Sequence, residues 1–156
     1  MRHSEEFFKD IVRHVKLKPK MTVDELIREM AGSGCFGAGR LAQAVDIYEQ
    51  MLKEKALIVL GLAGAMVPGG MKNVVTEMIK RKMVNVIVST GANMVHDLLE
   101  VFGGYHYKGT AYIDDKLLYK HGVDRVYDVF IPEEDFVFKF DKPLMEIFND
   151  VICLLY

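Results

Sequence analysis

The stretch Val84-Asn85-Val86-Ile87-Val88-Ser89-Thr90-Gly91-Ala92-Asn93 passes from an apolar run into small and hydroxyl-bearing residues without meeting a charge. A short apolar run that ends in Ser, Thr and Gly reads as a strand buried on both faces, as in a parallel sheet. Ala56-Leu57-Ile58-Val59-Leu60 is a second run of the same kind, too short for an independent helix. Between them lie a small-residue loop over 61–70 and a helix over 71–81, with Val74, Val75, Met78 and Ile79 on its apolar face. A further helix is expected over 94–102. Strand, loop and helix, twice in succession, predict a parallel α/β sheet with flanking helices.

Upstream the periodicity is helical. Ser4 is placed to cap a helix carrying Phe7, Phe8, Ile11, Val12 and Val15. Thr22 and Glu25 form a capping box for a second helix with Val23, Leu26, Ile27 and Met30. A glycine-rich loop follows over 31–39, then a longer helix over 40–55. The chain thus divides into an amino-terminal helical segment, 1–55, and an α/β segment, 56–156. Downstream, a short helix is expected over 115–121, a strand over 125–131, a helix start at Pro132 and a last helix over 144–151.

Of the 156 residues, 51% are hydrophobic and 27% charged, a balance that favours a buried core over disorder. The formal charge of -2, from 20 basic and 22 acidic side chains, gives no sign of a nucleic-acid or anionic-membrane surface. The longest uncharged run, 56–71, falls short of the ~20 residues that span a bilayer, and it is broken by glycines and a proline. The N-terminus is charged, so no signal peptide is expected, and a cytoplasmic location is the simplest. Cys35 and Cys153 are far apart and suggest neither a disulfide framework nor a metal pair. No metal-ligand spacing is present, and no catalytic nucleophile stands out.

Gly32-Ser33-Gly34-Cys35-Phe36-Gly37 matches G-x-G-x-x-G literally, but a helix precedes it where a strand is required. It reads instead as a helix–helix connection. The better ligand candidates are the loops after the two strands, because ligands of parallel sheets bind at the strands' carboxyl ends. The first loop contains Gly64, Ala65, Met66, Val67 and Pro68; the second contains Thr90, Gly91, Ala92 and Asn93. Both could equally be ordinary tight turns. His96-Asp97 opens the following helix, either as a proton carrier with its neighbour or as a surface pair complementing the helix terminus. His106, between Tyr105 and Tyr107, reads as a packed loop histidine.

Taken together, Phe36-Gly37-Ala38 with Ala44-Val45, Leu60-Gly61 through Gly70, Met83 through Asn93 with His96-Asp97-Leu98, Gly109, Gly122-Val123-Asp124-Arg125 and Ile131-Pro132-Glu133-Glu134 resemble the deoxyhypusine synthase family. The similarity covers roughly residues 20–150 and looks most like the archaeal and bacterial branch. It implies a Rossmann-like fold and NAD as cofactor. It also implies transfer of an aminobutyl group from spermidine, through an enzyme lysine, to a lysine of a translation initiation factor or to a small amine. Cofactor contacts would come from Gly64, Ala65, Met66, Val67 and Pro68, from Thr90, Gly91, Ala92 and Asn93, and from His96. His96 and Asp97 would face the polyamine. Family members are oligomers, so a homo-oligomer is expected.

The chain departs from the eukaryotic pattern where Gly64-Ala65 replace Ser-Asn and Val95-His96 replace two glutamates. No lysine stands in a context matching the family's nucleophile, whose half of the family chain is absent from these residues. The expectation is an incomplete family fold, the amino-terminal half, from a truncated or frameshifted frame and inactive alone. The alternative is a non-catalytic nucleotide-binding or assembly module.

Overall fold

The structure is a computed structural model that describes residues 7–34 and 36–155. The chain divides into two compact units, Met1–Leu57 and Ile58–Tyr156.

In the first unit, helix α1 spans Val23–Ser33. The Thr22–Glu25 capping box is formed: the Glu25 amide donates to Thr22 Oγ1 at 3.2 Å and the Thr22 amide to Glu25 Oε2 at 2.7 Å. Gly34 ends α1 in the left-handed region at φ 62°, where other residues are strained. Helix α2, Phe36–Lys53, follows directly. A Cβ on Gly39 would lie 3.1 Å from Gly34 Cα, so the glycine-rich stretch serves close backbone packing between helices.

The helix expected from Ser4 is not formed over the described residues. Residues 8–18 are irregular, with the Arg13 amide donating to the Gly32 carbonyl and the Lys16 amide to Glu29 Oε2. Ser4 lies outside the described residues. The physical reason is visible in exposure: Phe7, Phe8, Ile11, Val12 and Val15 all remain exposed. An amphipathic helix of about 12 residues is marginal without a surface to bury its apolar face.

The second unit is mixed α/β. Strands β1 (Val59–Leu62) and β2 (Val86–Ser89) pair in parallel, with Val59 opposite Val86 and Leu62 opposite Ser89. The crossover between them is a wide helical turn, Val67–Met71, and helix α3, Lys72–Lys80. Both strands start later than the apolar runs suggest. The Asn85 side chain explains this: its Oδ1 accepts from the Ile58 amide at 2.8 Å and ties the strand entrances together before the ladder begins. Helix α4, Gly91–Val101, leaves β2. It is followed by β3 (Tyr107–Lys108), α5 (Asp115–Lys120), β4 (Val123–Val126), β5 (Val129–Pro132), α6 (Glu133–Phe136), a second wide turn (Val137–Asp141) and α7 (Lys142–Leu155). The strand expected over 125–131 is two antiparallel strands joined at Tyr127–Asp128, and the three pair in the order β3-β5-β4.

The parallel strands are covered on one side only. Leu60, Leu62 and Ile87 are half-buried, whereas Val59, Val86 and Val88 are exposed. The apolar run alone predicted burial on both faces; in a two-stranded sheet only the inward residues find cover. The core of this unit gathers at Ile58, Val67, Leu99, Leu118 and Ile131, together with three buried polar side chains, Asn93, His96 and Asp135.

Candidate functional site

The site is built where β1 and β2 end. Thr90 precedes α4 with extended backbone and makes no side-chain bond to the helix's first amides. The opening N–H groups of α4 therefore lack a side-chain cap from Thr90, an arrangement suited to an anion. The first loop runs alongside. Gly64 holds φ at +73°, and no atom lies within 4 Å of a Cβ built on Gly61, Gly64, Gly69 or Gly91. These glycines border open space.

Asn93 joins the two loops. Its Oδ1 accepts from the amides of Met66 (3.2 Å) and Val67 (3.3 Å), while its Nδ2 donates to the Leu62 carbonyl (3.3 Å) and Thr90 Oγ1 (3.3 Å). The residue is 2% exposed. Both amide hydrogens and the carbonyl oxygen are committed within the protein, so Asn93 shapes the crevice through backbone it holds in place. Val67 and Pro68 are likewise buried, whereas Gly64, Ala65, Met66, Thr90, Gly91 and Ala92 are exposed.

One helical turn further along α4, His96 is buried and Asp97 is paired with Lys72 Nζ at 2.9 Å. Lys72 also meets Glu100 at 3.1 Å. Burial opposes the charge on Lys72, but hydrogen bonds to both carboxylates outweigh it and raise its pKa. The opposite oxygen of Glu100 lies 2.7 Å from His106 Nδ1, and His106 Nε2 lies 3.0 Å from His96 Nδ1. The Phe136 ring stands edge-on to His96 at 6.0 Å. Burial first, and then His106, hold His96 below the ordinary imidazole pKa, against a smaller raising effect of Glu100.

A cleft of about 570 Å³ opens beside this cluster, lined by Val67 to Gly70, Glu100, His106 to Gly109, Asp128 and Val129. Sequence reading missed Lys72 and Glu100. Glu100 was within reach, since it falls four residues after His96 on the same helix face. His106 arrives through the turn after α4, which no periodicity announces. Among the described residues no group of three or more metal-binding side chains occurs, and no helix is long and apolar enough to cross a membrane.

Comparison with known proteins follows the same stretch. A family model described as deoxyhypusine synthase matches residues 25–153. The protein named "Probable deoxyhypusine synthase" in Methanosarcina thermophila is 51% identical over 126 residues, which are 80% of this chain and 39% of that one. "Probable deoxyhypusine synthase 1" of Methanosarcina mazei is 50% identical over the same shares. The Methanothermobacter thermautotrophicus "Probable deoxyhypusine synthase" is 38% identical over 141 residues, 90% of this chain and 45% of that one. The chain thus spans less than half the length of these curated relatives.

Proposed function

The chain belongs to the deoxyhypusine synthase family, and on that premise we propose that it forms the NAD-holding part of a cytoplasmic aminobutyl transferase whose donor is spermidine. The observation that carries this is the uncapped start of α4 at the carboxyl end of β2, beside glycines whose Cβ positions meet no other atom. These features fit a dinucleotide. The first amides of α4, at Gly91 and Ala92, suit its pyrophosphate. Ala65 has no polar side chain, so contacts to a ribose from this loop come from the backbone of residues 64–66. Asn93 ties the two loops together by its hydrogen bonds to Met66 and Leu62.

NAD, when bound, supplies the hydride acceptor for the polyamine carbon beside the secondary amine. The chain's own residues orient the polyamine and handle its protons, with His96 and Asp97 on the substrate side of α4. Because Asp97 is paired with Lys72, its pull on a polyamine cation is shared with an internal cation. Lys72 is unsuited to the covalent step, since its raised pKa keeps it protonated and without a nucleophilic lone pair. By the family resemblance, in which no lysine here matches the context of the nucleophile, the transfer lysine lies outside these 156 residues and the chain alone turns nothing over. The acceptor is a lysine of a translation initiation factor or a small amine, and the working form is a homo-oligomer.

Calorimetric titration of NAD into the full chain and into Gly91→Val tests the reading. Gly91 is not in the left-handed region, and a new Cβ there meets no atom within 4 Å beyond its own helix turn and chain neighbours, so valine projects into open space at the start of α4. The variant is expected to bind about tenfold or more weakly. Absence of NAD binding by the folded wild type, or equal binding by Gly91→Val, overturns the assignment. Binding without any spermidine-dependent adduct when the rest of a family enzyme is supplied favours the non-catalytic module instead.

A further inference from the structure

Positive charge in the first unit is gathered rather than spread. The irregular residues before α1 lie along that helix and are held at two points: the Arg13 amide donates to the Gly32 carbonyl at 2.8 Å, and the Lys16 amide to Glu29 Oε2 at 3.1 Å. A groove of about 460 Å³ opens there, and its charged walls are Arg13, Lys16, Arg28 and Glu29, with His14 beside them. Cations outnumber carboxylates on these walls by two, even with His14 neutral. Among the described residues, neither the Arg13 guanidinium nor the Lys16 ammonium has an ion-pair or hydrogen-bond partner. Arg28 is partly engaged: its Nε meets Asp24 at 3.0 Å, and its Nη2 stands 3.9 Å from Glu49, which Lys53 holds at 2.7 Å. Backbone hydrogen bonds rather than counter-ions keep the like charges together, so an arriving anion relieves a repulsion that the fold leaves standing.

Gly32 belongs to the same wall. A Cβ there would lie 3.3 Å from both Cβ and Nε of Arg13, so a bare residue lets that arginine rest against α1 without displacement. This gives the first glycine of the G-x-G-x-x-G match a task beyond joining two helices. Its carbonyl lies in the last turn of α1, where an oxygen without a partner would repel an anion, and the Arg13 amide covers it.

We propose that this groove binds a small anion carrying linked phosphates, free pyrophosphate or the phosphates of a nucleotide, at a site built wholly from the first unit. Arg13 offers a planar fork of N–H donors that matches phosphate oxygens two at a time, and Lys16 adds a mobile point charge. Arg28 spends its Nε on Asp24 and keeps terminal N–H groups for the ligand. Glu29 sets the selectivity. Its Oε2 is taken by the Lys16 amide, but its charge repels any anion, so a singly charged ion gains little where a multiply charged one is held. The groove is also larger than a lone phosphate needs. None of its walls belongs to the strand-end loops, so the site stands independently of the NAD reading.

Amide NMR of the full chain, titrated with inorganic pyrophosphate at low ionic strength, reads the site where it lies. The expected result is a saturable shift of the Arg13, Lys16 and Gly32 amides, weakening as salt is added. Sodium chloride at matched ionic strength is expected to leave them in place. The double variant Arg13→Gln, Lys16→Gln keeps both backbone amides and removes both free charges, and is expected to bind about tenfold or more weakly. Gly91→Val is expected to leave these shifts unchanged. ADP in a parallel titration tells the two sources apart: tighter binding than pyrophosphate at the same amides assigns the nucleotide. No saturable shift at these amides, the same shift with sodium chloride, equal binding by the double variant, or loss of the shift in Gly91→Val would each overturn the proposal.

Discussion

Replacing Asn93 by alanine removes a side chain that bonds to both loops at the strand ends. Four hydrogen bonds go with it, at 3.2 to 3.3 Å, toward the long end of the useful range. At that length each contributes about 0.5 kcal/mol net, near the low end for such bonds. The amides of Met66 and Val67 lose their acceptor, and Val67 is only 7% exposed, so at least one donor stays sealed from water at about 1 kcal/mol. The expected loss is about 3 kcal/mol, roughly a hundredfold in the opening equilibrium of the loops. Amide hydrogen exchange at Met66 and Val67 reads this within the second unit, independent of how the first unit melts. The urea midpoint of the second unit should fall in parallel. Asn93→Asp is the companion variant: it retains the acceptor but sets a carboxylate oxygen against the Leu62 carbonyl, and should be no milder at neutral pH. Exchange at Val67 that quickens by less than about threefold in Asn93→Ala would show that the loops hold their shape without the clamp.

Gly104→Ala should destabilise the second unit by about 1–3 kcal/mol through overpacking, because a Cβ there would lie 2.7 Å from Leu99 Cγ and 2.9 Å from the Leu99 carbonyl. Leu99 is fully buried and cannot yield, so an unchanged urea midpoint would contradict the packing described. For His96, the folded pKa lies below the ordinary 6.5, so the unfolded chain takes the proton first. Its contribution to stability is complete above that value and is lost as the pH falls through the folded pKa. The urea midpoint should therefore drop between about pH 7 and pH 5, less steeply in His96→Gln; a wild-type midpoint constant over this window would refute the assignment.

The capping box at Thr22 and Glu25, the helix over 94–102 and the parallel relation of the two strands were legible because each depends on neighbours in sequence. The same local logic misled at the amino terminus, where periodicity promised a helix but no surface receives Phe7, Phe8 and Ile11. It also misled on the strands, whose apolar runs say nothing about how many neighbouring elements will cover them. His96 and the two loops were singled out as places to look, while Glu100 and Lys72, which the fold brings to the same cluster, passed unnoticed as ordinary helix charges.

Sequence by itself determined the strand–loop–helix order that brings small residues to the ends of two parallel strands. Spacing and apolar runs are short-range properties, and they specify local structure. Only the tertiary structure decided that Asn93 spends its hydrogen bonds on residues 26 to 31 positions away. It alone decided that His106, ten residues after His96, turns back to meet it and Glu100. Those contacts depend on the path of the chain through a turn and a crossover, and a polar side chain carries no mark in the sequence of which partner that path will bring.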